Sequence, residues 1–244
     1  STAKIKEIVQ QISDLGVQHL IFSGGEPLLR EDLLEILEFS IGCGIKMVDI
    51  ISNGILFNEE IIQKLIKMKL NHITISLDGL RQINDEIRGR DAFDKSVKSI
   101  DTINHCKEKF RSLFPTLGIN FTVMDKNIGE MLKVIEFARN KKCNVIVFQP
   151  VLFSNTRMHE KKKNFLWPSS ENIKKLERVV DKIISLKNTL SDLQIYTDTS
   201  ILRFLPEYFK GAKAGSDFKC YEAIKRIVIA CDGKSWSCMG ICGD

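Results

Sequence analysis

Three short segments carry residue types suited to holding a small polar ligand. They are Ser23-Gly24-Gly25-Glu26-Pro27, Ser52-Asn53-Gly54 and Ser76-Leu77-Asp78-Gly79. Adjacent glycines let a backbone approach a ligand closely. Pro27 fixes the exit of its loop and removes a donor. Glu26 supplies a carboxylate suited to a cationic amine. Small polar groups with two carboxylates suit a zwitterionic, hydroxyl-rich ligand better than a phosphate. Each segment alone also reads as ordinary turn chemistry; three in register argue for a site. A fourth group is Cys220, Cys231, Cys238 and Cys242, four of the chain's 7 cysteines. Thiolates gathered by a fold can hold an iron–sulfur cluster or a structural zinc. Their spacing lacks the paired CxxC of zinc ribbons. A disulfide suits a chain with no visible export signal less well.

The elements that must position these residues alternate in type. Apolar spacing predicts helices over 3–15 (Ile5, Ile8, Val9, Ile12 and Leu15 on one face), 31–42, 58–69, 91–110, 128–140, 169–189 and 199–210. Asn58 and Ser169 or Ser170 are candidate N-caps. Short β-rich runs predict strands at 18–22, 46–51, 72–77, 116–124, 144–151 and 193–197. Residues 79–92 read as an insertion. Strand–helix alternation with short loops implies parallel strands and right-handed crossovers. The order predicts a (β/α) barrel or part-barrel with a first strand ahead of Ser1. In such a sheet, ligands sit at the C-terminal strand ends, where the three segments fall. Near the C-terminus, 226–230 and 234–238 flank Asp232-Gly233 as a hairpin.

Composition narrows the function classes. The 244 residues carry a net charge of +5 and 43% apolar residues. The charge is too mild and too dispersed to argue for a nucleic-acid partner. No apolar run approaches a membrane span, and no leader is visible, so the expected location is cytoplasmic. Cys43, Cys106 and Cys143 are scattered and read as buried packing residues. The four histidines suggest no metal site. The basic stretch at 157–163 reads as a solvated loop or as a steering surface for an acidic peptide. Trp167 and Trp236 have packing or substrate-mouth roles open to them.

The run FSGGEPLLRED (22–32), followed by IISNG (50–54) and ISLDG (75–79), resembles the radical SAM superfamily. The stretch 76–100 resembles that superfamily's peptide-modifying branch. The resemblance covers roughly residues 3–151. It implies that Gly24, Gly25, Glu26 and Pro27 hold the amino group of S-adenosylmethionine (SAM), with Ser52, Asn53 and Asp78 beside it. It implies that Ser76 and Arg88, twelve residues apart, contact the methionine carboxylate. The spacing suits a bidentate arginine–carboxylate clamp. The family's CxxxCxxC loop, which holds the catalytic [4Fe-4S] cluster, has no counterpart in these residues. The fold expected is therefore α/β, a partial (β/α)6 TIM-like barrel of the radical SAM type. Its first strand and cluster loop are missing, and a small cysteine-rich β-hairpin extension follows.

Residues 220–238 resemble the opening of a SPASM/Twitch extension, which holds auxiliary [4Fe-4S] clusters. Cys220 and Cys238 match its first ligands, with Cys231 and Cys242 as further candidates. Cys231, at a strand end, reads equally well as a packing residue. The expected organisation is a partial barrel over 1–152, its last strand, helix and linker over 153–213, and the start of the auxiliary domain over 214–244. The resemblance implies cleavage of SAM to a 5′-deoxyadenosyl radical that takes hydrogen from a peptide or protein substrate. It also implies a reducing partner such as flavodoxin or ferredoxin. The chain itself, lacking the cluster cysteines, is expected to be inactive. The competing expectation is a cluster-less barrel acting as a peptide-binding module.

Overall fold

The computed structural model describes residues 1–152, 166–211 and 225–236. Helices and strands alternate as α1 (Thr2–Asp14), β1 (His19–Phe22), α2 (Leu33–Gly42), β2 (Met47–Ser52), α3 (Glu59–Lys67), β3 (His72–Ser76), α4 (Arg81–Arg88) and α5 (Ala92–Lys109). They continue with β4 (Thr116–Val123), α6 (Met131–Asn140), β5 (Val145–Pro150), α7 (Ser170–Lys187), β6 (Gln194–Ile195) and α8 (Thr199–Lys210). Strands β1 to β6 form one sheet in chain order, every neighbouring pair parallel. This matches the predicted α/β alternation. Among the described residues β1 and β6 are the sheet's two edges, and no strand joins them. Two further strands, β7 (Val228–Ile229) and β8 (Ser235–Trp236), pair antiparallel around Asp232-Gly233 as expected. The Asp232 carboxylate accepts from the Lys234 N–H at 3.0 Å and closes that turn.

One face of the strands carries the apolar core. Val48 and Ile50, Ile73 and Ile75, Leu117, Ile119 and Phe121, and Ile146 and Phe148 are buried in a single cluster. Leu37, Leu65, Ile100, Val134 and Leu176 of the helices join it. Strand side chains alternate between faces. The other face therefore presents Asp49, His72, Thr74, Ser76, Thr116, Asn120, Thr122 and Gln149, with Ile21, Met47, Ile51, Val145 and Val147 among them. A parallel sheet covered by helices on both sides reads apolar on both. Here the second face is mixed, and its polar side chains are concentrated on β3 and β4.

Register decides which face each residue joins, because a one-residue slip exchanges the faces. Two asparagines help to hold it. Asn71, just before β3, accepts from the Val48 N–H at 2.8 Å; Asn144, just before β5, accepts from the Leu117 N–H at 2.9 Å.

Several local expectations are corrected. Residues 79–92 contain a helix, α4, ended by Gly89 at φ +104°. Its eight residues include only Ile83 and Ile87 as apolar members, too few to display a period. The segment predicted as a helix over 128–140 is a 3-10 turn at Asp125–Glu130 followed by α6. Leu15 is 78% exposed, and Val9 is the fully buried residue of α1. Cys106 and Cys143 are buried as predicted, whereas Cys43 is partly exposed and donates to Gln10 Oε1 at 3.5 Å. Burial pushes the Cys143 thiol up to about 12. Trp167 packs edge-on against Phe209 at 4.9 Å and donates its indole N–H to the Phe209 carbonyl, a packing role. No helix among the described residues is long and apolar enough to cross a membrane.

Candidate functional site: a carboxylate-clamped cleft at the strand ends

The first, second and third strands end in the three segments singled out by residue type. Glu26 ties the first two of them together. Its Oε1 accepts from the Ser52 hydroxyl at 2.8 Å and the Leu28 N–H at 3.2 Å, and its Oε2 accepts from the Asn53 N–H at 2.8 Å. A carboxylate offers about four acceptor positions. Three are used within the protein, which leaves one on Oε2 for a donor from outside. Pro27 is buried and opens a 3-10 turn, so the loop leaves Glu26 along a set path. Any Cβ added to Gly24 or Gly25 would meet no protein atom within 4 Å, so bare backbone borders open space there.

The Ser52-Asn53-Gly54 loop is held from three sides. The Ser52 hydroxyl accepts from the Gly54 N–H at 3.0 Å, and Asn53 Oδ1 accepts from the Ile55 N–H at 2.8 Å. From α5, Ser96 Oγ lies 2.8 Å from the Asn53 carbonyl, and Ser99 Oγ donates to the Gly54 carbonyl. Gly54 sits at φ +80°, where an added Cβ would stand 2.9 Å from Cγ2 of the buried Ile75.

The third strand end is a buried ionic junction. Asp78 is 2% exposed. One carboxylate oxygen accepts from the Thr122 N–H at 2.7 Å, and the other lies 2.7 Å from an Arg88 guanidinium nitrogen. Burial pushes the Asp78 carboxyl above its ordinary range, with Arg88 and the Thr122 N–H opposing. Arg88 Nε is buried with no hydrogen-bond partner, and so is Asn84 Nδ2. Ser76, the last residue of β3, lies opposite Asn120 in register.

A cleft of about 380 Å³ connects these parts, lined by Gly25, Asn53, Ile55, Asp78, Ile87, Arg88, Ala92 and Ser96. Its size falls in the range of small-molecule sites. A free acceptor position on Glu26 and an unpartnered N–H on Arg88 suit a ligand with both an amine and a carboxylate. The predicted residues Gly25, Asn53, Asp78 and Arg88 line the cleft itself, while Gly24, Glu26, Pro27, Ser52 and Ser76 are not part of its lining. The chemistry of these groups fits a zwitterion such as the SAM implied by the resemblance. The catalytic cluster is another matter. Among the described residues no three His, Cys, Asp or Glu side chains converge to hold a metal ion. Cys231 is exposed, at the β7–β8 turn. Cys220, Cys238, Cys242 and the basic stretch 157–163 lie outside the described residues.

Sequence reasoning missed a polar layer at the opposite strand ends. His19 Nε2 lies 2.6 Å from Asp49 Oδ2, and His72 Nδ1 lies 2.7 Å from Thr116 Oγ1. The only available signal was parity: these four residues precede the ligand-facing positions of β1 to β4 by even steps. The Thr116 hydroxyl donates to the Asn71 carbonyl at 3.1 Å, which makes it an acceptor for His72. Burial holds the His72 imidazole below its ordinary value; Asp49 opposes this, and His19 and Lys107 reinforce it. The folded state thus binds this proton less readily than the unfolded chain. Stability is complete above the ordinary value near 6.5 and is lost as pH falls below it. The expected loss is up to about 1.4 kcal/mol per pH unit while the proton difference persists. Melting temperature measured from pH 7.5 to 5.5 should show this slope, and His72→Gln should flatten it.

The family model for the radical SAM superfamily matches residues 1–138. An Fe-coproporphyrin III synthase from Methanosarcina barkeri is 29% identical over 155 residues, covering 63% of this chain and 37% of that protein. A PqqA peptide cyclase from Rhizobium meliloti is 27% identical over 190 residues, covering 74% of this chain and 46% of that protein. Streptococcus suis SuiB, solved bound to S-adenosylmethionine, superposes over the whole of this chain and 55% of its own. The TM-score is 0.75 at 17% identity, a likeness of fold. The chain thus spans about half the length of proteins it resembles, or less. Radical SAM proteins bind SAM and a [4Fe-4S] cluster. The matched span contains all three strand-end segments, and the chain belongs to the radical SAM superfamily.

Proposed function

We propose that the whole protein is a radical SAM peptide maturase with a SPASM/Twitch extension, acting in the cytoplasm on a peptide or protein. The observation that carries this reading is the cleft lined together by Gly25, Asn53, Asp78 and Arg88, with Glu26 next to it in the chain keeping one acceptor position and the Arg88 Nε without a partner. Glu26 would take the SAM amine, and Arg88 with Ser76 its carboxylate. Gly24 and Gly25 would let backbone approach the ligand, Pro27 would set the loop's exit, and Ser52 and Asn53 would hold Glu26 in place. SAM and its cluster, when bound, supply the 5′-deoxyadenosyl radical; the residues of this chain bind and orient SAM. On this reading the catalytic cluster's three cysteines come from sequence ahead of Ser1. Cys220, Cys231, Cys238 and Cys242 serve auxiliary [4Fe-4S] binding, and a flavodoxin or ferredoxin supplies electrons.

A peptide substrate is supported by the 76–100 stretch and by the similarity to a PqqA peptide cyclase. A small-molecule substrate is the second reading, favoured by the similarity to an Fe-coproporphyrin III synthase. The protein translated from its complete reading frame, reconstituted without oxygen and given dithionite, should release 5′-deoxyadenosine from SAM. The nucleoside is read by liquid chromatography and mass spectrometry. No release from protein with fully loaded clusters would sink the enzymatic reading and leave a binding module. Release that never couples to a mass change in peptides, but does so with a tetrapyrrole, would move the substrate to the second class.

A further inference from the structure

Asp78 occupies a position unlike that of the other carboxylate at this site. Glu26 accepts from the first two strand-end loops only. The Asp78 side chain is 3% exposed, and each of its oxygens is engaged, one by the Thr122 N–H and the other by Arg88, both at 2.7 Å. The residue is also held through its backbone. Its N–H donates to Asn84 Oδ1 at 2.9 Å, and its carbonyl accepts from Asn127 Nδ2 at 3.0 Å. Asn127 in turn accepts from the Met124 N–H at 2.9 Å and donates to the Thr122 carbonyl at 2.8 Å. Asp78 is thereby tied to the end of β4, to the turn after it, and to both Asn84 and Arg88 of α4.

Arg88 is the last residue of α4, immediately before Gly89 at φ +104°. A guanidinium on a helix end has many rotamers to choose from. One anchor on a rigid strand end reduces that choice while leaving the remaining donors, Nε among them, uncommitted. We propose that Asp78 is a positioning residue: it does not touch SAM but orients Arg88 so that the guanidinium edge meets the methionine carboxylate. This rests on the reading of Arg88 as the carboxylate partner and refines the expectation that Asp78 itself contacts SAM. Burial raises the Asp78 carboxyl's proton affinity, so its ionised form is held at a cost to the fold rather than as a source of stability. That is consistent with a role in the site.

The sign of the effect separates positioning from simple charge. Asp78 and a ligand carboxylate repel each other. If charge were all that mattered, Asp78→Asn would tighten SAM binding. If Asp78 positions Arg88, the same change weakens it by about 10- to 100-fold, as loss of alignment does. The probes are SAM and decarboxylated SAM, which keeps the amine and adenosine but lacks the carboxylate. Binding is measured by equilibrium dialysis on the full-length, cluster-reconstituted protein without reductant. The expected result is that Asp78→Asn weakens SAM and leaves decarboxylated SAM unchanged, the selectivity shown by Arg88→Ala. SAM affinity unchanged or tighter in Asp78→Asn, with Arg88→Ala selective, overturns the inference and keeps Arg88. Arg88→Ala weakening both ligands equally overturns the carboxylate assignment, and the inference with it. Asp78→Glu keeps the charge but displaces the anchor by a methylene. It should show the same selective loss and serves if Asp78→Asn folds poorly. The ratio of the two affinities is a readout that general damage to the fold does not move.

Discussion

Glu26→Gln lowers affinity for SAM by about 10- to 100-fold, the expected loss when a charge-assisted hydrogen bond becomes a neutral one. Geometry makes this change more severe than isosteric shape suggests. Both carboxylate oxygens already accept from Ser52, Leu28 and Asn53. An amide can supply only one accepting oxygen. Its NH2 must then face either the Asn53 N–H or the Ser52 hydroxyl and Leu28 N–H. A donor-to-donor contact opens the clamp between the first and second strand-end loops, at a cost of about 1–3 kcal/mol of stability. Isothermal titration with SAM and a thermal melt on the same protein check both parts. A variant that melts lower but binds SAM as wild type would confine Glu26 to the fold.

Gly54→Ala destabilises the protein by about 2–5 kcal/mol, combining left-handed backbone strain with overpacking. A Cβ at Gly54 would stand 2.9 Å from Ile75 Cγ2, 3.3 Å from its Cδ1 and 3.4 Å from the Ser96 Cα. Ile75 is fully buried and cannot yield. The melting temperature should fall on the order of 5–20 °C. Gly44→Ala is the control. Gly44 has a similar φ of +85° but no atom within 4 Å of its added Cβ, so it bears the backbone strain alone. Equal losses in the two variants would show that the contact with Ile75 contributes nothing. Because Asn53 neighbours Gly54 and donates to Glu26, the Gly54 variant should also weaken SAM binding where Gly44→Ala does not.

Much of the site was legible because its residues are local runs. Three segments of glycine, serine, asparagine and carboxylate stood at three successive strand ends, and the strands were short apolar runs between amphipathic helices. Parallel pairing in chain order followed from that alternation. What the residues do to one another was not legible. Residue type marks Glu26 and Asp78 equally as carboxylates at strand ends. The difference is set by neighbours 26 to 44 positions away: Ser52 for one and Thr122 for the other. The helix at 81–88 was hidden by its length and charge. His19, Asp49, His72 and Thr116 looked scattered because their proximity comes from register across four strands.

By itself, then, the sequence determined the α/β alternation, a hairpin around Asp232-Gly233, the cap at Asn58, and the list of candidate residues for binding a zwitterion. These depend on local propensity and short periods, which a chain carries wherever it goes. The tertiary structure alone decided that Glu26 ties two strand-end loops together while Asp78 anchors Arg88, that the Arg88 Nε has no partner, and that Cys43 is not buried. These outcomes depend on desolvation and on hydrogen bonds between distant segments, and both exist only once the strands are in register.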